Sequence, residues 1–167
     1  MMRTGKESYT EEELKQIHQA EEKALNLLSY ADRTEFLLRE KLKEGEFPPF
    51  AVEEAVEYVK SYHYLDDLRY AENYLRSHMD RKSIYEMREA LREKGVSSEI
   101  REQAFLNVEI DEVALVSSLF QKKYGTKDLK DPKVYEKALR YFAGKGFPYE
   151  AVKKGITAVL TESDSLS

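Results

Sequence analysis

The chain has 167 residues, enough for one domain or a short array of modules, and 41% of them are hydrophobic against 35% charged. Only 7 Gly and 4 Pro interrupt it, which favours helices. The lack of Cys excludes disulfides and thiolate sites and indicates a reducing cytoplasm. No apolar run reaches the roughly 20 residues of a membrane span, and the charged start predicts no secretory signal.

The motifs of common enzymes are also missing. The 3 His are irregularly spaced, and no pair has the i, i+4 spacing of a helical zinc site. Neither a glycine-rich phosphate loop nor the GxSxG nucleophile turn occurs. We therefore expect that the protein is not an enzyme and that it binds no cofactor and no metal.

Apolar residues at helical spacing run along almost the whole chain and predict nine or ten short helices and no strand. Thr10, followed by Glu three residues later, has the form of a capping box that starts the first helix. Residues 52–59 carry an apolar stripe, and Ser83 begins a second capping box. Asp131 followed by Pro predicts another helix start.

A short Gly-containing turn recurs three times, at residues 42–48, 91–97 and 142–148, on the order of 50 residues apart. We expect the Gly of each turn to take the left-handed conformation that ends one helix, and the next Ser or Pro to open another. Each repeat then holds three helices. Such units bury little surface alone, so they must stack on one another.

The predicted fold is all-α: a tandem repeat of three three-helix modules that form an elongated curved array. The predicted boundaries are an N-terminal helical extension at 1–19, modules at 20–63, 64–109 and 110–160, and a disordered tail at 161–167.

One stretch, residues 62–77, is more specific than the rest, because it reads Tyr-His-Tyr-Leu-Asp-Asp-Leu-Arg-Tyr-Ala-Glu-Asn-Tyr-Leu-Arg-Ser. Either Asp66 or Asp67 is expected to cap a helix here, and Arg69 to form a structural ion pair with Asp66. The pattern resembles the hallmark of the RecX family, the regulators of the RecA recombinase. The residues that carry the resemblance are Tyr64, Leu65, Asp66, Asp67, Arg69, Tyr70, Ala71, Tyr74 and Gly95.

The resemblance covers about residues 20 to 160, with two departures. His63 stands where the family usually has Gly, and Ala90 where it usually has an acid. Neither changes the helix pattern.

The resemblance implies a protein that lies along the groove of the RecA–DNA filament. Such a protein would block filament growth and damp strand exchange, ATP hydrolysis and co-protease activity, and so regulate DNA repair, recombination and the SOS response. We expect it to be cytoplasmic, monomeric, not bound to membranes, and in at most weak contact with single- or double-stranded DNA.

The net charge of −5 is unfavourable for contact with DNA, but the charge is unevenly distributed. Residues 121–154 hold ten basic and four acidic residues, whereas residues 1–30 hold four basic and six acidic ones. The basic candidates for contact with RecA or DNA are Arg76, Arg81, Lys82, Arg88, Arg92, Lys94, Lys122, Lys123, Lys145 and Lys153. Two alternatives stay open: a stand-alone helical nucleic-acid-binding module, and a helical-repeat scaffold for another protein partner.

Overall fold

The computed structural model describes residues 8–165, which form nine α-helices and no strand. The helices are α1 (Glu11–Tyr30), α2 (Glu35–Glu44), α3 (Pro49–Ser61), α4 (Asp67–His78), α5 (Ile84–Glu93), α6 (Ser98–Asn107), α7 (Glu112–Tyr124), α8 (Pro132–Gly144) and α9 (Tyr149–Ser165). We call α1–α3, α4–α6 and α7–α9 the first, second and third modules. The predicted all-α fold of three-helix modules is confirmed.

The predicted helix starts are confirmed by their caps. The Thr10 hydroxyl accepts the Glu13 N–H at 3.1 Å, and the Glu13 carboxylate accepts the Thr10 N–H at 3.0 Å. At α8, the Asp131 carboxylate accepts the Lys133 N–H at 2.9 Å, with Pro132 at the first helical position. These contacts satisfy amides that a helix leaves unpaired at its N-terminus.

Two of the predicted boundaries fall inside helices. α1 runs without a break through the boundary expected between residues 19 and 20. α9 continues to Ser165, so residues 161–165 are helical where a disordered tail was expected. The rest of that tail, and residues 1–7 of the predicted extension, lie outside the described residues.

The chain forms two compact units, each with its own hydrophobic core. Of the described residues, one unit comprises those up to Ala71 together with Arg92–Ile100, and the other comprises Glu72–Leu91 together with those from Arg101 onward. The first core is built mainly from α1, α2 and α3, and it buries the apolar stripe predicted at residues 52–59. The second core is built from α7, α8 and α9. Residues of α4, α5 and α6 are divided between the two units.

The three repeated turns differ in the residue that takes the left-handed conformation. Gly95 and Gly146 have φ values of 81° and 86°, as expected. In the first turn, however, Gly45 has a φ of −79°, and Glu46 takes the left-handed position with a φ of 61°. The expectation for Gly45 was therefore wrong, because the register of the repeats aligns Glu46, not Gly45, with the other two glycines.

Within residues 8–165, no helix combines the length and the apolar character needed to cross a bilayer.

Candidate functional site

The cationic groove is a surface groove of about 230 Å³ in the second unit, and three of the predicted contact residues line it. Arg81 and Lys82 come from the turn between α4 and α5, and Lys145 comes from the turn between α8 and α9. The remaining lining residues are Glu86, Leu119, Tyr141 and Phe147. Two separate turns thus bring three cations to one place.

Tyr141 is the aromatic centre of the cationic groove, with 38% of its surface exposed. The ammonium group of Lys145 lies 5.8 Å from the centre of its ring, and that of Lys123 lies 4.3 Å away. The electron-rich face of a phenol ring attracts ammonium groups, so Tyr141 holds two positive charges near each other. Lys123 thereby joins the three cations that line the groove.

Two carboxylates lie beside the cations of the cationic groove and offset part of their charge. Among the described residues that line the groove, Glu86 is the acid, and its Oε1 accepts the Ser83 N–H at 3.3 Å as part of the predicted capping box. The Arg81 guanidinium contacts the exposed Asp80 carboxylate at 3.2 Å, and the Lys82 ammonium lies 3.4 Å from the Tyr74 hydroxyl. The groove is suited to bind anionic groups such as phosphates or carboxylates.

The other predicted contact residues lie outside the cationic groove, and several have partners of their own. Nε of Arg88 donates to Glu102 Oε1 at 2.9 Å, and its guanidinium lies 4.8 Å from the centre of the Phe105 ring. Arg76 pairs with Glu72 at 3.5 Å. The Lys153 ammonium lies 5.1 Å from the Tyr149 ring. Arg92 and Lys122 are exposed, on α5 and α7 respectively, and Lys94 is half-buried in the turn after α5.

The Arg88–Glu102 pair has a counterpart in the first module that the sequence did not reveal. There the Arg39 guanidinium donates to both oxygens of Glu53, at 2.7 and 3.0 Å. The hydrogen bond from Arg39 lowers the pKa of Glu53. At the repeat positions of the third module stand Leu139 and Lys153. The third module therefore lacks this internal ion pair and keeps an extra cation instead.

The signature residues of the second module hold the structure together. Asp66 caps α4 by accepting the Arg69 N–H at 3.0 Å. The Arg69 guanidinium donates to the backbone carbonyls of His63 and Tyr64, at 2.8 and 3.2 Å. This corrects the expected ion pair with Asp66, since the Asp66 carboxylate caps α4 and the guanidinium donates to the carbonyls after α3 instead. His63 has a φ of 59°, which explains why Gly is usual there.

The remaining signature residues divide between core and surface. Asp67 Oδ1 accepts the Glu35 N–H at 2.8 Å. Leu65 and Ala71 are buried, whereas Tyr64 is 52% exposed. Tyr70 is half-buried. The Tyr74 ring stacks on His78 with centroids 4.0 Å apart. In the part of the chain that the structure describes, no three His, Asp or Glu side chains are grouped as a metal site would require.

Three family models match the chain in order. They describe the first, second and third three-helix domains of RecX, and they match residues 20–58, 66–104 and 109–156.

Curated relatives and solved structures are similar to the chain over most of its length. The regulatory protein RecX of Vibrio vulnificus (strain CMCP6) is 31% identical over 135 residues, which cover 80% of this chain and 88% of the relative. That of Haemophilus influenzae (strain PittGG) is 32% identical over 126 residues, covering 74% and 83%. A crystal structure of RecX from Lactobacillus salivarius superposes with a TM-score of 0.77 at 24% identity, over 87% of this chain and 97% of that one. It has the same fold.

Proposed function

Because the chain belongs to the RecX family of regulatory proteins, we propose that it binds the RecA recombinase filament and inhibits filament assembly, ATPase activity, strand exchange and co-protease activity. The protein would thereby regulate DNA repair, recombination and the SOS response in the cytoplasm, and would act as a monomer. The cationic groove is the observation that supports a contact site on this chain, since three cations and one acid line it.

The mechanism that follows is occupancy and needs no catalysed step. A bound chain would cover surface that the next RecA subunit or the DNA requires. Binding shifts the filament only as far as the chain prefers one state of the filament over another. Assembly is therefore more sensitive than a filament already formed, because a few bound chains at growing ends stop many later additions.

The experiment that tests this function is the single-strand-DNA-dependent ATPase of the cognate RecA, with the chain titrated in below one molecule per RecA subunit. We expect inhibition at these substoichiometric levels, because each blocked end removes many active subunits. No inhibition even at an excess of chain would contradict the proposal.

The cationic groove is tested by reversing two of its charges. The double variant Lys82→Glu/Lys145→Glu should weaken inhibition by at least about tenfold. It removes two ammonium groups, and the ionic contact that each makes with the partner is worth on the order of 1 kcal/mol. The matched control is Lys15→Glu/Lys23→Glu on α1, which changes the net charge equally at exposed positions. Equal losses in both variants would assign the effect to net charge and not to the groove.

A second candidate function, stand-alone binding of nucleic acid, is favoured by the same cations beside Tyr141. The net charge of −5 argues against it. Titration of a labelled single-stranded oligonucleotide without RecA separates the two, because independent binding would show a steep dependence on salt.

A further inference from the structure

The same set of three contacts occurs in each of the two compact units, and we call each set a joint. The first contact is a buried hydroxyl at the N-cap of the second helix of a module. In the first joint, the Thr34 hydroxyl accepts the Leu37 N–H at 3.2 Å and donates to the Lys94 carbonyl at 2.5 Å. Ser83 does the same in the second joint, with the Lys145 carbonyl at 2.6 Å. Both hydroxyl residues are 0% exposed.

The second contact joins the first backbone amide of that helix to a carboxylate of the next module. The Glu35 N–H donates to Asp67 at 2.8 Å, and the Ile84 N–H donates to Glu112 Oε2 at 3.0 Å. Asp67 and Glu112 are each the first residue of the first helix in their modules. Because a helix leaves its first amides unpaired, this contact satisfies a donor that would otherwise be orphaned.

The third contact packs an aromatic side chain against a left-handed glycine of the next module. Phe36 lies against Gly95 in the first joint, and Tyr85 lies against Gly146 in the second. A Cβ at either glycine would overlap the aromatic side chain. All residues of the first joint belong to the first compact unit, and all those of the second belong to the second unit.

The cationic groove lies beside the second joint, because its lining residues are chain neighbours of the residues that form the joint. Lys82 immediately precedes Ser83. Lys145 supplies the carbonyl that accepts the Ser83 hydroxyl, and Phe147 follows the glycine on which Tyr85 packs. The joint therefore sets the distance between the two turns that carry the cations of the groove.

The second joint holds these two turns together against the repulsion of their charges. Arg81 and Lys82 on one turn and Lys145 on the other carry the same charge, and like charges that line one groove repel each other. Glu86 offsets part of this repulsion. The Ser83 hydroxyl is buried, so water does not compete for its hydrogen bond. Without that bond the turns are freer to separate, and the cations converge less closely.

The first joint has the same three contacts but different residues around them. Arg81 and Tyr141 of the cationic groove have Asp32 and Ala90 at the corresponding repeat positions one module earlier. An acid thus replaces a cation, and a methyl group replaces the ring that attracts two ammonium groups. The first joint is therefore a natural control for the second, since it has the same contacts without the same surface.

We propose that the second joint positions the cations of the cationic groove for the partner, so that the buried and uncharged Ser83 is a positioning residue for binding. The inference rests on the proposed function, since it takes the groove as the contact site for RecA. A site that is already assembled binds more tightly, because folding and not binding supplies the free energy that brings its groups together. A groove whose turns separate would keep every charge and still bind its partner more weakly.

The test removes the hydroxyl of a joint without changing any charge. Ser83→Ala breaks the hydrogen bond of the second joint, and the matched control Thr34→Ala breaks the equivalent bond of the first. Both variants are assayed as inhibitors of the single-strand-DNA-dependent ATPase of the cognate RecA, at a temperature at which melting curves show each variant to be folded. We expect the concentration for half inhibition to rise at least about fivefold for Ser83→Ala and to stay within about twofold for Thr34→Ala.

The conservative variant Ser83→Thr should inhibit like wild type. Thr34 shows that a threonine at this position makes both hydrogen bonds of a joint. If Ser83→Ala does not fold, Tyr85→Ala is assayed in its place, with Phe36→Ala as its control in the first joint.

The outcomes separate this inference from the proposed function. If wild type inhibits and Lys82→Glu/Lys145→Glu does not, a Ser83→Ala variant that inhibits like wild type overturns the positioning role. Equal losses in Ser83→Ala and Thr34→Ala also overturn it, because they would reflect stability alone. A wild-type chain that does not inhibit refutes the proposed function itself, and a charge reversal without effect refutes the groove as its contact site. Either of these two results overturns the inference as well.

Discussion

Left-handed backbone occurs at four positions among residues 8–165, and each lies at the end of a helix. Two are the glycines of the joints, Gly95 and Gly146, and two carry side chains, Glu46 and His63. A left-handed residue with a Cβ costs on the order of 1 kcal/mol relative to Gly. The chain accepts that cost at Glu46, which is exposed to solvent, whereas the glycines of both joints lie against aromatic residues.

Substitution of Gly95 by Ala tests this requirement. The new Cβ would be strained at a φ of 81° and would overlap Phe36, so we expect the free energy of unfolding to fall by at least about 2 kcal/mol. Gly144→Ala is the matched control, because its Cβ would meet nothing within 4 Å at the end of α8. Urea denaturation of both variants gives the comparison, and equal stabilities would refute the role assigned to Gly95.

At the scale of the helix, the hydroxyl that caps α1 only accepts a hydrogen bond, whereas the capping hydroxyl of a joint accepts one hydrogen bond and donates another. Thr10 caps α1 at the exposed start of the helix, whereas Thr34 caps α2 and also donates to the next module. A hydroxyl serves both purposes because it carries a proton and two lone pairs. A carboxylate caps equally well but can only accept.

The exchange of Thr for Asp therefore separates capping from joining. Thr34→Asp keeps a cap but places a charged group against the Lys94 carbonyl in a buried site, and we expect a loss of about 2–4 kcal/mol in unfolding free energy. Thr10→Asp should change stability by no more than about 0.5 kcal/mol. Thermal and urea melts measure both. Similar small effects at the two positions would mean that the Thr34 hydroxyl contributes nothing as a donor.

For the whole molecule, the sequence predicted the helices and the repeats but not how the repeats connect. Capping boxes and apolar periodicity are local, so Thr10, Ser83 and Asp131 could be identified as helix starts. The joints pair Thr34 with Lys94, 60 residues apart, and nothing local marks such a pair.

The same limit applies to the candidate site. Its cations were among the predicted contact residues, but the cationic groove is formed by two turns and three helices, and it excludes Arg88. A comparison of the repeats would have indicated this, since Arg39 and Glu53 recur as Arg88 and Glu102 but not in the third module. Local sequence patterns were therefore sufficient to predict the helices, whereas the structure was needed to show which basic side chains line the cationic groove.

The dependence of stability on pH separates two sets of carboxylates. Burial raises the pKa of Asp67, which faces Glu35, Asp66 and Lys60, and burial also raises that of Glu112, which faces Arg88. Their folded forms bind protons more readily than the unfolded chain, so the stability they contribute is present at low pH and is lost as pH rises through the raised pKa. Asp67→Asn/Glu112→Gln keeps acceptor oxygens for both amides and removes this loss.

We therefore expect this double variant to gain stability relative to wild type as pH rises from about 3 to 7. The control Glu35→Gln/Glu53→Gln should do the opposite. Burial alone would raise the pKa of Glu35, but Lys60 and Arg39 lower it, and Arg39 lowers that of Glu53. The stability from this pair is present above the unfolded value near 4.5 and is lost as pH falls through the lowered pKa. Urea denaturation across this pH range measures both differences, and slopes of the same sign would contradict the opposite directions of the pKa shifts in the two pairs of carboxylates.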